Sequence, residues 1–247
     1  MTPFREKLFS LYKQALHNQT YPHWEVLLLG EEEGKDGNFI KIRTKEEWKI
    51  NKLQEALDYI QSLEQKPDYV IRLDDDDLIA PALLEKAAKL DFDCYAESHH
   101  HFYDLVYSKY SSQKRPWLTN TVIHKTEHIF VPYGPEQIPL LKKNHNEAWH
   151  VYYQDKKLVL ADKNAPLYLR LLSPTTFSVH GFDFEKNQTN DWAKYNKYLH
   201  SFGLWKNKIS PVFASFETSL KELATGFEAP PRQQQPLLTR IKKFMRE

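Results

Sequence analysis

One cysteine and seven glycines in 247 residues are both scarce, and each scarcity narrows what the chain can be. A single thiol, Cys94, excludes a disulfide framework within the chain and fits a reducing compartment. So few glycines argue against a Gly-rich loop that cradles nucleotide phosphates with bare backbone N–H groups. No apolar run reaches the roughly twenty positions needed to cross a bilayer. No basic-then-apolar leader opens the chain either, so a cytoplasmic protein is the default expectation. The sequons Asn18-Gln19-Thr20 and Asn187-Gln188-Thr189 are accordingly read as inert. Charge of one sign is lacking too. Lys and Arg number 34 against 33 Asp and Glu, a net +1, without the basic face that nucleic-acid binding requires.

What is present suits one large α/β domain. Hydrophobic residues make up 41% and aromatics 14%, enough for a core and for rings that could cover the apolar face of a sugar. Phe4, Leu8, Leu11, Tyr12 and Leu16 recur at helical spacing over residues 4–18. Trp24 to Leu29, closed by Gly30, reads as a buried parallel strand, and 31–37 as a polar loop. Residues 38–43 read as a strand and 45–65 as a long helix with Trp48, Leu53, Leu57, Ile60 and Leu63 on its apolar side, stopped by Pro67. Residues 69–73 are expected to form the next strand, with four aspartates at its end, and Pro81 to open a helix through Leu90. Strands are expected over 93–97 and 102–109, fragments of both kinds over 117–125, 145–153 and 157–177, and a helix over 190–202. This alternation predicts a mostly parallel sheet covered on both faces, with ligands bound beyond the carboxyl ends of its strands.

The run Asp74-Asp75-Asp76-Asp77 lies at such an end. Adjacent carboxylates repel, so a cation should offset them, and Mg²⁺ or Mn²⁺ is commonly held by one or two carboxylates together with substrate phosphates. The plainer alternative is an acidic turn that caps the next helix. His99, His100 and His101 raise zinc, but structural zinc sites gather ligands from separated segments. A loop or a chance cluster is preferred there.

The stretches Thr2-Pro3-Phe4-Arg5 and Gln19-Thr20-Tyr21-Pro22-His23-Trp24-Glu25 resemble the opening of family 2 glycosyltransferases. Arg72-Leu73-Asp74-Asp75-Asp76-Asp77, followed by Pro81, is similar to that family's acidic segment, and Ala165-Pro166-Leu167-Tyr168-Leu169-Arg170 to a late strand. The resemblance is good over about residues 2–90, patchy to about 180 and silent beyond. It implies a GT-A fold, a mostly parallel central sheet with flanking helices and its first strand missing. Residues 1–227 would form the transferase domain, split into a nucleotide-sugar half (1–110) and an acceptor half (111–227). Residues 228–247 would be a Pro- and Gln-rich linker and an amphipathic basic tail, suited to a membrane surface or to plain packing.

By the same resemblance the donor is a nucleoside-diphosphate sugar, bound near Thr2, Pro3, Arg5, Arg72, Asp74, Asp75 and Arg170. Asp74 and Asp76 would hold Mn²⁺ or Mg²⁺, with His180 as a third ligand. An inverting transfer needs a general base, for which Glu147 is the first choice and Glu136 the second. Trp149 and His150 would face a glycan or lipid-linked glycan acceptor, in bacterial surface-glycan synthesis at the inner face of the membrane. Two other readings stand beside this one. One is a non-catalytic saccharide- or partner-binding protein of the same fold; the other is a metal-dependent nucleotidyltransferase or phosphatase.

Overall fold

A computed structural model of the chain describes residues 3–75, 77–143, 148–174, 176 and 192–227. It is a mixed α/β fold. In chain order, α1 (Pro3–His17) leads to β1 (Val26–Gly30), β2 (Gly34–Asp36), β3 (Phe39–Arg43) and α2 (Lys49–Ser62). Then come β4 (Tyr69–Ile71), β5 (Asp77–Ile79), α3 (Leu83–Ala88), β6 (Cys94–Ala96), β7 (His99–Asp104) and β8 (Lys109–Lys114). β9 (Ile123–Lys125), α4 (Thr126–Ile129), β10 (Pro132–Tyr133), β11 (Ile138–Pro139) and α5 (His150–Tyr152) follow. β12 (Leu158–Leu160), β13 (Tyr168–Leu172), α6 (Trp192–Leu199) and α7 (Glu217–Ala224) complete the described strands and α-helices.

Among the described residues the strands form sheets in the orders β1-β3-β2, β12-β6-β9-β4 and β5-β13-β7-β8, with a β10-β11 hairpin. Only β1-β3, β12-β6 and β13-β7 pair in parallel. The other six pairings are antiparallel, which corrects the expectation of a mostly parallel sheet. The reason lies in polar segments that apolar patterning does not flag. Gly34-Lys35-Asp36, expected as loop, pairs back onto β3, and Lys109 to Lys114 pairs back onto β7.

β1 of the first sheet and β4 of the second lie between the same two cores, as their two-residue alternation requires. Val26 and Leu28 of β1 and Tyr69 and Ile71 of β4 pack against a core built on Leu8, Leu11, Tyr12, Ala15 and Leu16 of α1. Leu27 and Val70 pack on the other side, against Leu57 and Ile60 of α2 with Trp149 and Tyr153. β1 and β4 are each the last strand of their described sheet, and all their residues stay half-buried rather than buried.

α1 forms as expected, and Gln19 fixes where it ends. Its side-chain amide donates to the Ala15 and Ala80 carbonyls, and its carbonyl accepts from Leu84 N–H. Of the residues carrying the family resemblance, Gln19 is therefore a tie between two helices. α2 starts four residues later than expected. Thr44 Oγ1 takes up the Glu46 N–H, and Trp48 stays outside the helix at 58% exposure, so residues 45–48 bring no side chain to the core. Pro81 lies two residues ahead of α3, and the helix expected to reach Leu90 ends at Ala88. The linker and tail expected over 228–247 lie outside the described residues.

Candidate functional site

Asp74 follows the carboxyl end of β4 by three residues. β4 pairs antiparallel with β9 through Tyr69↔Lys125, Val70↔His124 and Ile71↔Ile123. Continuing that register sets Asn120 across from Asp74, and the side chains meet. Asn120 Nδ2 donates to Asp74 Oδ2 at 2.6 Å, while its carbonyl oxygen accepts from Arg72 Nη2 at 2.8 Å. One amide therefore joins the acid to the guanidinium. Asp74 Oδ1 accepts from Lys49 Nζ, at the first turn of α2.

Charge decides the state of this acid. Burial alone would raise the Asp74 carboxyl. The ammonium of Lys49, with Arg72 and Arg170, overrides burial and holds it below the ordinary carboxylate range. Arg170 reaches this neighbourhood because β13 pairs with β5 in the register Arg170↔Asp77. Beside Asp74, Arg5 Nη2 donates to both oxygens of Asp75, at 2.6 and 2.7 Å. Beneath them lies Tyr12 of α1, 4% exposed, its hydroxyl pushed up by burial and by the charges of Asp75 and Asp74.

Arg72 is turned inward. Its Nη1 donates to the Leu141 carbonyl at 2.9 Å and to that of Lys143 at 3.3 Å, and its guanidinium lies 4.4 Å over the Trp149 ring. Burial brings it down to about 10, with Asp74 acting in the opposite sense. Expected as a donor contact, Arg72 instead forms the floor under Asp74. Trp149 corrects a second expectation. It is 0% exposed and donates its Nε1–H to the Leu140 carbonyl, so no sugar can lie on its face. His150 is half-buried.

Of the two candidate bases, Glu136 is exposed and ion-paired with Lys143. That contact, with a backbone N–H, holds it below its usual range, which suits a solvated ion pair better than a proton acceptor. Glu147, Thr2, Asp76 and His180 lie outside the described residues. Pro3 is placed at the start of α1. The histidine run sits in β7, not in a loop. His101 Nδ1 bonds the Tyr110 hydroxyl and His100 Nε2 the Trp117 carbonyl, and burial pushes both rings down to about 4. Lys49, Asn120 and Tyr12 were absent from the expected set. Only Asn120 had a sequence signal, as the mirror position of Asp74 once 69–71 is paired with 123–125.

The arrangement is a surface acid pair among cations, at the carboxyl end of a strand. It can hold a doubly negative group against Arg5, Lys49 and Arg170, or a divalent ion against Asp74 and Asp75. The chain matches neither any protein-family model nor any characterised protein with which it was compared.

Proposed function

We propose that the chain is a metal-dependent glycosyltransferase of the GT-A type, similar to family 2, which moves a sugar from a nucleoside-diphosphate donor to an acceptor hydroxyl with inversion. The observation that carries this reading is the Asp74 carboxylate, kept ionised beyond the end of β4 and ringed by Lys49, Asn120, Arg72 and Arg170. Ionised oxygen donors fit Mn²⁺ or Mg²⁺. Lys49, with a side chain 58% exposed, can swing aside to release Asp74 Oδ1. Asp74 would then hold the ion together with Asp76, and a bound ion would neutralise the charge of the departing nucleoside diphosphate.

The other residues have separate tasks. Asn120 and Arg72 fix the rotamer of Asp74. Arg5 and Arg170 offer planar guanidinium groups that match phosphate oxygens. The acceptor is proposed to be a bacterial surface glycan or its lipid-linked precursor, met at the inner face of the membrane.

Calorimetry with a panel of nucleotide sugars, in Mn²⁺ and in EDTA, tests the donor site. Binding should require metal and weaken by about two orders of magnitude in Asp74→Asn, since a buried-facing acid and its cation partners are disrupted together. A folded protein that binds no sugar nucleotide would sink the reading. Metal-dependent binding without slow donor hydrolysis would favour the non-catalytic alternative. The choice of base has its own test. Removing a general base typically costs about 10²–10⁴ in rate. Glu147→Gln should lose that much in turnover, whereas Glu136→Gln should change it by less than about threefold, because Glu136 is already paired with Lys143. The reverse ranking would move the base to Glu136.

A further inference from the structure

A second group of ligating side chains lies at the opposite end of the β12-β6-β9-β4 sheet. Asp93 immediately precedes β6, and Glu127 and His128 lie in α4, which follows β9 directly. β9 runs antiparallel to β4 and β6, so these residues sit at the ends where β4 and β6 begin, away from Asp74. One ligand atom from each of the three residues comes within 4.8 Å of the other two.

Two of the three ligands are anchored through their other atom. Asp93 Oδ2 accepts from the Lys157 N–H at 2.9 Å, leaving Oδ1 turned to the cluster. His128 Nδ1 bonds the Tyr152 hydroxyl at 2.9 Å. His128 is 8% exposed, and its Nε2 is cut off from water, with the Asp93 carboxylate as its polar neighbour. That nitrogen lies 3.3 Å from Asp93 Oδ1 and 3.9 Å from Glu127 Oε1. A tetrahedral ion with ligand bonds of about 2.0–2.1 Å sets its ligand atoms roughly 3.3–3.4 Å apart, so the Asp93–His128 edge already has the required length. An imidazole fixed at its far nitrogen, beside a carboxylate fixed at its far oxygen, is how metal ligands are usually oriented.

We propose that Asp93, Glu127 and His128 bind a zinc-class divalent ion, which clamps α4 to the start of β6 with its fourth position open to solvent. Glu127 closes the site from the exposed side. Its present partner, Lys125 at 3.0 Å, is 43% exposed and is displaced by the ion. The two carboxylates balance the charge of the ion, and the imidazole selects a borderline metal over Mg²⁺ or Ca²⁺.

The test is a titration of Zn²⁺ alone, by calorimetry and by thermal shift, with Co²⁺ as a spectroscopic substitute that reports tetrahedral geometry. It uses the whole chain, Asp74→Asn, His128→Gln and Glu127→Gln. The last variant alters an exposed side chain, so it stays informative if His128→Gln fails to fold. One equivalent should bind to the wild type and to Asp74→Asn. Affinity should fall about tenfold to a hundredfold in Glu127→Gln and in any folded His128→Gln, together with loss of the thermal shift. No binding to the wild type, binding lost only in Asp74→Asn, or affinity unchanged in Glu127→Gln would each overturn the site.

Discussion

Trp149→Ala is expected to destabilise the chain by about 3–5 kcal/mol, the cost of emptying a fully buried indole. Few substitutions here could match it. The ring is 0% exposed and belongs to the core that also holds Leu57, Leu140 and Tyr153. It lies under the Arg72 guanidinium at 4.4 Å and meets His124 edge-on, with ring centres 4.5 Å apart. Removing it leaves a half-buried cation facing a void, so the loss exceeds that of a plain apolar residue. Against a total stability of about 5–15 kcal/mol, the variant should be partly unfolded at 37 °C. Trp149→Phe keeps a ring face and loses the bond to the Leu140 carbonyl, which should cost about 1–2 kcal/mol. Urea titration of both variants measures this. A cost below 1 kcal/mol for Trp149→Ala would contradict the burial. Under the proposed transferase activity, the acceptor KM of Trp149→Phe should stay within about twofold, since the ring offers no face to a sugar.

The second large effect is loss of stability on mild acidification. Burial pushes His100 and His101 down to about 4 and His124 to about 3, each with the neutral imidazole favoured. Unfolded histidine titrates near 6.5. Below that pH the unfolded chain takes up three protons that the folded chain refuses. A depressed pKa in the folded state means stability that is present above about 6.5 and lost as pH falls. Glu97 works in the opposite sense. Burial raises it well above the usual carboxylate range even though the Leu167 and Tyr168 N–H groups pull it down, so the folded chain keeps this proton to higher pH than the unfolded chain does. The three histidines outweigh this one carboxyl, so the unfolded chain binds more protons between pH 6.5 and 4.5, at about 1.4 kcal/mol per pH unit for each proton of difference. Unfolding should therefore set in between about pH 4 and 5.5. Thermal midpoints measured across this range give the proton number from the slope. A flat profile from pH 7 to 5 would refute the account, and His100→Gln should remove about one proton of slope.

How much of this was legible in the sequence follows from what periodicity can report. α1, β1, α2 and β4 could be read because their apolar residues recur at helical or strand spacing and face a core. β5 could not, because its first residue is the last of four aspartates and reads as part of an acidic turn. β8, Lys-Tyr-Ser-Ser-Gln-Lys, carries almost no apolar signal, and its strand character comes from pairing with β7. The site divides in the same way. Asp74, Asp75, Arg5 and Arg170 share a neighbourhood. Asn120 and Lys49 are lone polar residues in unremarkable stretches, and they join the site only through strand register and the entry of α2. Trp149 was misjudged because an indole near a candidate base reads equally as a platform or as core, and only packing separates the two.

The same indole gives the molecule an optical gauge. Its face rests on Arg72, which Asn120 links to Asp74, and its edge rests on His124. Emission from Trp149 will therefore respond to events at the acidic site through one contact and, through the other, to the acid unfolding that frees His124. The difference between wild-type and Trp149→Phe spectra isolates that signal from the other five tryptophans. A single native chromophore would then follow both ligand arrival and acid unfolding, with no label attached.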